Sequence, residues 1–595
     1  MKTIRTLFVV VPFAGAIFTA GACSQDRNEF VNGPTFAGED GGAPDASECG
    51  YQCSLDARSV IDTCTGVVVE TCADVQACGA GRCQEPCSAA AADRRSDGCE
   101  FYFQAPAFSK ALAQSCHAIF VVNSSNRPAD ISLELEGEAL DISKSLFRTN
   151  PGEATLIPHT GQLSPGESAI LFVSDADPEG PPPAGERPVR CPKDVVPATY
   201  ADALPRGTGF GASFHLRATL PVSVTSIYPF GGAPSWGPSA TLLLPVPTWA
   251  KQHILINGWQ GGSPGAQIVA SEDETDVTIL PKRDIERTVD FPGTPAGTPA
   301  TYRLAKGQVL QIVQAQELSG SIVTSTKPTT VFGGNSCANI PVGGAYCDVL
   351  AQQIPAFEHW GSEYVGVGYR PRLGNEHELV AYRIVAARDG TVLDYDPVPP
   401  PGAPLTMSAG EVATFTQGTG DAFVVRTQDA DHAIYMAAYM SGGAQSLDAM
   451  AGRNAISFGG RGDPDFVNIV PARQYQSSYS FYADPTYSDT SLVIVRAKTG
   501  GGFKDVALDC AGGNLTGFRP IGTRGEYEFV RVDLARNKRP GDRFGTNVCQ
   551  TGLHRMHSEG PFTATLWGWD QYASYAYPSG LAQRKLVVNP LVPVQ

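Results

Sequence analysis

A block of short strands that closes on a small-residue turn recurs four times along this 595-residue chain, and nothing else in the sequence limits its fold as tightly. An aromatic strand opens each copy, at Phe101-Tyr102-Phe103, Ile254-Leu255-Ile256, Tyr364-Val365-Gly366 and Tyr479-Ser480-Phe481. A second strand follows, as Ala118-Ile119-Phe120-Val121-Val122, Ala266-Gln267-Ile268-Val269-Ala270, Tyr382-Arg383-Ile384-Val385-Ala386 and Leu492-Val493-Ile494-Val495. A turn and strand come next, at Pro165-Gly166-Glu167, Lys306-Gly307-Gln308 and Ala409-Gly410-Glu411, with a degraded copy at Arg524-Gly525-Glu526. The closing turns are Tyr228-Pro229-Phe230-Gly231-Gly232, Val331-Phe332-Gly333-Gly334, Tyr439-Met440-Ser441-Gly442-Gly443 and Trp567-Gly568-Trp569.

Within a copy, apolar and polar residues alternate, as in Thr275-Asp276-Val277-Thr278-Ile279-Leu280. That period of two puts one face of a strand in a core and the other in water. About seven strands per copy is the count of a small β-sandwich. The expected fold is all-β: four tandem sandwich-like repeats at 99–245, 246–355, 356–470 and 471–595, behind a small disulfide-rich region at 49–98. A propeller-like ring is the alternative arrangement. Abundant Gly (64) and Pro (46) with only 6 Met agree with strands joined by turns.

The net charge of −16 is spread without a basic run, which argues against nucleic acid or an anionic lipid surface as the partner. Of the 15 cysteines, Cys23 stands apart, and the remaining fourteen are an even number able to pair fully. Eight crowd together (Cys49, Cys53, Cys64, Cys72, Cys78, Cys83, Cys87, Cys99) where apolar residues are too few for a core, so disulfides are expected to hold that knob. Zinc is the alternative, but no histidine lies nearby. Cys510 is expected to pair with Cys549, and Cys116 with Cys191 by elimination.

Met1 to Arg5 is a basic start, Thr6 to Thr19 an apolar run too short to span a bilayer comfortably, and Ala20-Gly21-Ala22-Cys23 ends it on small residues before a cysteine. This is the layout of a lipoprotein signal: residues 1–22 are expected to be removed and Cys23 to take the lipid. Ser24 favours the outer membrane. Residues 23–48, polar and Gly-rich, read as a flexible tether. The membrane is then met through the lipid anchor only.

Ser325-Thr326-Lys327-Pro328-Thr329-Thr330-Val331-Phe332-Gly333-Gly334-Asn335-Ser336-Cys337, with Tyr346-Cys347-Asp348, Gln353-Ile354-Pro355 and Trp360-Gly361, closely resembles the signature of the IgGFc-binding protein N-terminal domain. Ser271–Ile279 and the turn at Tyr228–Gly232 carry it too. The resemblance covers roughly residues 200–450, and 99–590 more loosely, while the cysteine knob resembles those of myxobacterial lipoproteins. Such domains occur in animal mucus proteins and in bacterial surface proteins. What the resemblance implies is an extracellular, non-catalytic, adhesive or scaffolding role, with Cys337 and Cys347 matching the family's paired cysteines.

No chemistry-bearing motif competes with that reading. His554-x-x-His557 lacks an evident third ligand, Gly-x-Ser-x-Gly is absent, and Glu376-His377-Glu378 reads as a charged loop tip. Asp175-Ala176-Asp177 and Asp463-Pro464-Asp465 place two carboxyls in a turn and are the best places for Ca2+, although neither fits the helix-loop-helix template; otherwise no cofactor or metal is expected. Arg461-Gly462-Asp463 matches an integrin-recognition tripeptide at a frequency chance supplies. Candidate binding residues are Asn339, Tyr346, Asp348 and Trp360 in the stretch 335–360, then Trp567, Trp569 and Tyr572 in the aromatic segment 567–577, where rings beside polar groups suit a sugar or a protein. The expected function is capture of a surface protein or glycan. The alternatives are a glycan hydrolase acting from inter-module loops and a passive envelope element.

Overall fold

The computed structural model describes residues 49–591 except 55–56, 108–113, 181–186, 345 and 375. Cys23 and its tether lie outside the described residues.

Module 3 shows the common plan most openly. One four-stranded antiparallel sheet has the order Glu363–Gly366, β5 (Phe423–Thr427), Thr391–Asp396, Thr406–Met407; the other has Val412–Gly418, Leu379–Ala386, β6 (Ile434–Met440), β7 (Asp465–Asn468). In the other modules the counterparts of β5 and β6 are one long strand that serves both sheets: β1 (Phe214–Tyr228), β3 (Ile322–Ala338) and β8 (Gly552–Asp570). Each of these ladders shifts register at a proline, Pro221, Pro328 and Pro561, where the missing N–H and fixed φ break the pairing as the strand passes from one sheet to the next. The last strand of every module lies beside the second half of its long strand: β2 (Ser239–Leu242), β4 (Asp348–Ile354), β7 and β9 (Ala573–Pro578). Thr275–Leu280 buries every second residue, as its alternation requires.

The Gly333-Gly334 step of the sequence signature has a steric reason. A Cβ on Gly333 would stand 1.9 Å from the carbonyl oxygen of Ile256, and one on Gly334 2.3 Å from that of Leu350, so only bare backbone fits between these strands.

The modules are sandwiches, and they also close into a ring. Modules 1 and 4 share a core in which Phe120 meets Tyr482 at 4.8 Å. Modules 3 and 4 share another, with Tyr369 against Trp567 at 4.9 Å. Trp259 of module 2 packs on Tyr439 of module 3, and Trp249 joins the core of module 1. Gly209–Ala212 leaves module 1 to pair with Gln308–Val313 of module 2. Fold class and ring are thus compatible: four sandwiches stand where a propeller would place blades.

Among the described residues there are seven disulfides: Cys49–Cys64, Cys53–Cys78, Cys72–Cys83 and Cys87–Cys99 in the knob, then Cys116–Cys191, Cys337–Cys347 and Cys510–Cys549. The knob ends in α1 (Pro86–Asp93), capped by Glu85, whose carboxylate accepts from Ser88 N at 2.9 Å. No helix among the described residues is long and apolar enough to cross a membrane.

Candidate functional site

The four inner strands β2, β4, β7 and β9 surround the ring axis and run in one direction. Ala351 N donates to Ser239 Oγ at 3.0 Å, Gln353 N to Thr241 Oγ1 at 2.8 Å, and Asn468 Nδ2 to the Gln353 carbonyl at 2.8 Å. Their outer edges present carbonyls that no ladder satisfies, and Gln352 answers them. Its fully buried Nε2 lies 2.7, 2.8 and 3.0 Å from the carbonyl oxygens of Ala240, Phe466 and Ala576, one from each other module. Three acceptors around one amide group require its nitrogen to point there.

Because the inner strands are parallel, the loops that lead into them gather at one end of the axis. Three of these loops raise an aromatic ring on left-handed backbone: Trp236 (φ 65°), Tyr346 (φ 66°) and Tyr572 (φ 50°). Trp236 is 67% and Tyr346 65% exposed, and the Tyr346 and Tyr572 rings stand 5.2 Å apart. Exposed Val342 belongs to the loop of Tyr346, and exposed Met450 and Ile456 to the fourth loop, that of module 3. The Cys337–Cys347 bridge closes the module 2 loop, and Asn339, with its amide nitrogen turned inward, donates to the carbonyls of Tyr346 and Gly344 at 3.2 and 3.1 Å. The long module 3 loop is held by buried Arg372, whose Nε meets Glu378 at 2.7 Å while its NH groups donate to Ser441 and to the carbonyl of Arg461. That guanidinium lies 3.7 Å above the Phe458 ring.

Beneath this end lie three buried carboxyls, Asp348 from module 2 and Asp463 and Asp465 from module 3. Burial pushes the Asp463 carboxyl up to about 7, against the opposing pull of the Gly443 N–H and the Arg372 charge. Asp348 is raised by burial first and then by the two neighbouring carboxyls, and Asp465 by burial.

The opposite end carries the links between modules and is covered by the knob and the C-terminal tail. Arg94 reaches the Gln583 carbonyl at 2.9 Å and Glu358 at 3.3 Å, and the tail returns through Ala582 N to the Gln474 carbonyl at 3.0 Å.

A model of the family described as IgGFc binding protein matches residues 239–568, more than half of the chain. The chain belongs to the IgGFc binding protein family. Human IgGFc-binding protein is 25% identical to it over 304 residues, which are 49% of this chain and 5% of that protein, so the chain spans about a twentieth of its relative. No solved structure matches.

Seen as an IgGFc binding family member, the chain corrects several sequence expectations. Trp360 is 1% exposed and its Nε1 donates to the Pro355 carbonyl at 3.0 Å, so it belongs to the module link and not to a binding loop. Trp567 and Trp569, at 2% and 1%, fill the core between modules 3 and 4, because module 3 covers the face of their strand that an exposed binding surface would have needed. Asp348 is buried at the start of β4 and offers no surface contact. The stretch 335–360 is therefore no single loop: β3 ends at Ala338, and β4 and the module link take up 348–360. Exposed Tyr346 and half-buried Tyr572 are brought together, with half-buried Asn339 bonded to the Tyr346 carbonyl.

Asp463 is 1% exposed, so the Arg461-Gly462-Asp463 tripeptide is not presented. Asp177 sits in an exposed turn, its carboxylate accepting from Glu179 N at 2.9 Å, while Asp175 Oδ2 accepts from Cys191 N at the same distance. His554 and His557 alternate inward and outward. Asp509, Cys510 and His554 come close to one another, but the Cys510 sulfur is spent on Cys549. Trp236, Gln352 and Arg372 were missed by the sequence reading; only Trp236 left a signal, as an aromatic beside Gly237 just after a closing turn.

Proposed function

We propose that the chain is an exported, non-catalytic capture protein that holds a protein partner on the aromatic end of its ring. The carrying observation is the set Trp236, Tyr346 and Tyr572, raised from three modules on left-handed backbone. Such a conformation costs roughly 1–3 kcal/mol per residue and persists where the surrounding fold enforces it. Trp and Tyr are the residue types most enriched at protein-binding hot spots, and Trp236 and Tyr346 are both well exposed here. The human relative's name records binding to IgG Fc, which supports a protein as the partner class. The carboxyls that converge near this end are sealed from solvent, which favours binding over glycan hydrolysis.

The test is capture from cell-surface extracts by the full chain and by a variant with Trp236, Tyr346 and Tyr572 replaced by Ser. Partners should be lost with little change in melting temperature, because the three rings contribute little to the core. An unchanged set of bound proteins refutes the site. Anchoring is tested separately, since Cys23→Ser should release the chain from membranes and abolish fatty-acid labelling.

A further inference from the structure

Asp463, on the loop that leads into β7, and Asp465, the first residue of that strand, form a buried acidic pair. Asp348, from a different module, is aimed at them. It is 1% exposed, its Oδ2 has no hydrogen-bond partner, and the charges that act on it are those of Asp463 and Asp465. The three are not equally provided for. Asp465 Oδ1 accepts from Phe466 N at 2.8 Å and Ser239 Oγ at 3.0 Å, while its Oδ2 has no partner. Asp463 Oδ1 receives one long bond, from Gly443 N at 3.2 Å. Arg372 is the cation that acts on Asp463, but its charge is already matched by Glu378 at 2.7 Å.

Asp348 and Asp463 thus bring two carboxyls into a dry site whose nearby cation, Arg372, is shared with Glu378, so that each must be neutralised by a proton or by a further cation. Burying an unpaired carboxylate costs several kcal/mol, and a second one beside it raises that cost. Main chain closes on the pair from the module 1 loop and from the start of Asp463's own loop: a Cβ on Gly237 would stand 3.0 Å from Asp348 Oδ1, and one on Gly442 3.0 Å from Asp463 Oδ1. Two carboxylates from separate modules, bare backbone around them and an extracellular setting fit a hard divalent cation, which takes carboxylate, carbonyl and water oxygens together.

We propose that Asp348 and Asp463 form a Ca2+ site that ties modules 1, 2 and 3 together beneath the aromatic loops. Asp465, already hydrogen-bonded, stands behind the ion. One divalent ion balances the two uncompensated charges, and its loss would loosen the loops that carry Trp236 and Tyr346.

The full chain, stripped with EDTA, is titrated with Ca2+ by calorimetry and with Tb3+ by luminescence excited through the nearby Tyr346 and Tyr572 rings. One saturable site per chain is expected, with Kd of roughly 10⁻⁴ to 10⁻³ M for Ca2+, together with a higher melting temperature in Ca2+ than in EDTA. Asp348→Asn and Asp463→Asn should each abolish the saturable signal, while Asp177→Asn, in an exposed turn, should leave it. Because Asn keeps the shape and removes the repulsion, both site variants should melt no lower than the native chain in EDTA. No saturable binding by the native chain, or binding that survives both substitutions, overturns the proposal. So does a native chain that melts alike in EDTA and Ca2+ but loses stability with rising pH in a way Asp348→Asn removes, since protons would then be the neutralising species.

Discussion

Replacing Gln352 with Leu should loosen all four modules at once, because one amide serves carbonyls from three of them. The Nε2 carries two hydrogens and faces three acceptors at 2.7–3.0 Å, so at any moment two are fully bonded and the third shares. Leu is close in size and fills the space but donates nothing. Leaving a buried carbonyl bare costs about 1–3 kcal/mol, and two of them about 2–6 kcal/mol. If the ring melts as one cooperative unit, an unfolding entropy of roughly 2.1 cal/mol/K per residue makes each kcal/mol worth about 1 °C, so calorimetry should show a fall of about 2–6 °C. Gln352→Glu should fall further, since a carboxylate would face the same carbonyls with charge added. A Leu variant that melts with the native chain would refute the reasoning, for it would mean that the axis needs no donor and that the shared apolar cores alone close the ring.

Asp484 is fully buried and burial pushes its carboxyl up to about 6, while Thr486 N donates to it at 2.8 Å. Between about pH 4 and 6 the folded chain keeps a proton that the unfolded chain has released, so stability should fall as pH rises through that window and level off above it. The span corresponds to about 3 kcal/mol; urea melts of Asp484→Asn should show the slope reduced by that much, the remainder coming from Asp348, Asp463 and Asp465, and an unchanged slope would place the titration elsewhere. Removing residues 471–595 should bare apolar faces on modules 1 and 3 together, around Phe120 and Tyr369, and cause aggregation visible by light scattering. A truncated chain that stays monomeric and melts as before would show that the ring closure carries no stability.

Much of this architecture is local and was therefore legible. Period-two alternation, as at Thr275–Leu280, reports a half-buried strand wherever it occurs, and four copies of one strand series report four modules. An even count of cysteines in an exported chain reports disulfides, though the connectivity of the eight in the knob came only with the structure. Burial is not local. Trp567 and Trp569 have the alternation of an exposed aromatic strand, yet module 3 covers them; Asp463 sits in a turn sequence that suits solvent, yet Asp348 from another module meets it in the dark. Trp236, by contrast, stands beside Gly237 just after a closing turn, a context that says nothing of its depth, and ends up two-thirds exposed. Alternation and turn chemistry depend on neighbours along the chain, so the sequence by itself determined what each module is. Which faces are dry depends on how module 4 returns to module 1, through contacts between residues hundreds of positions apart, and only the closed ring decided that.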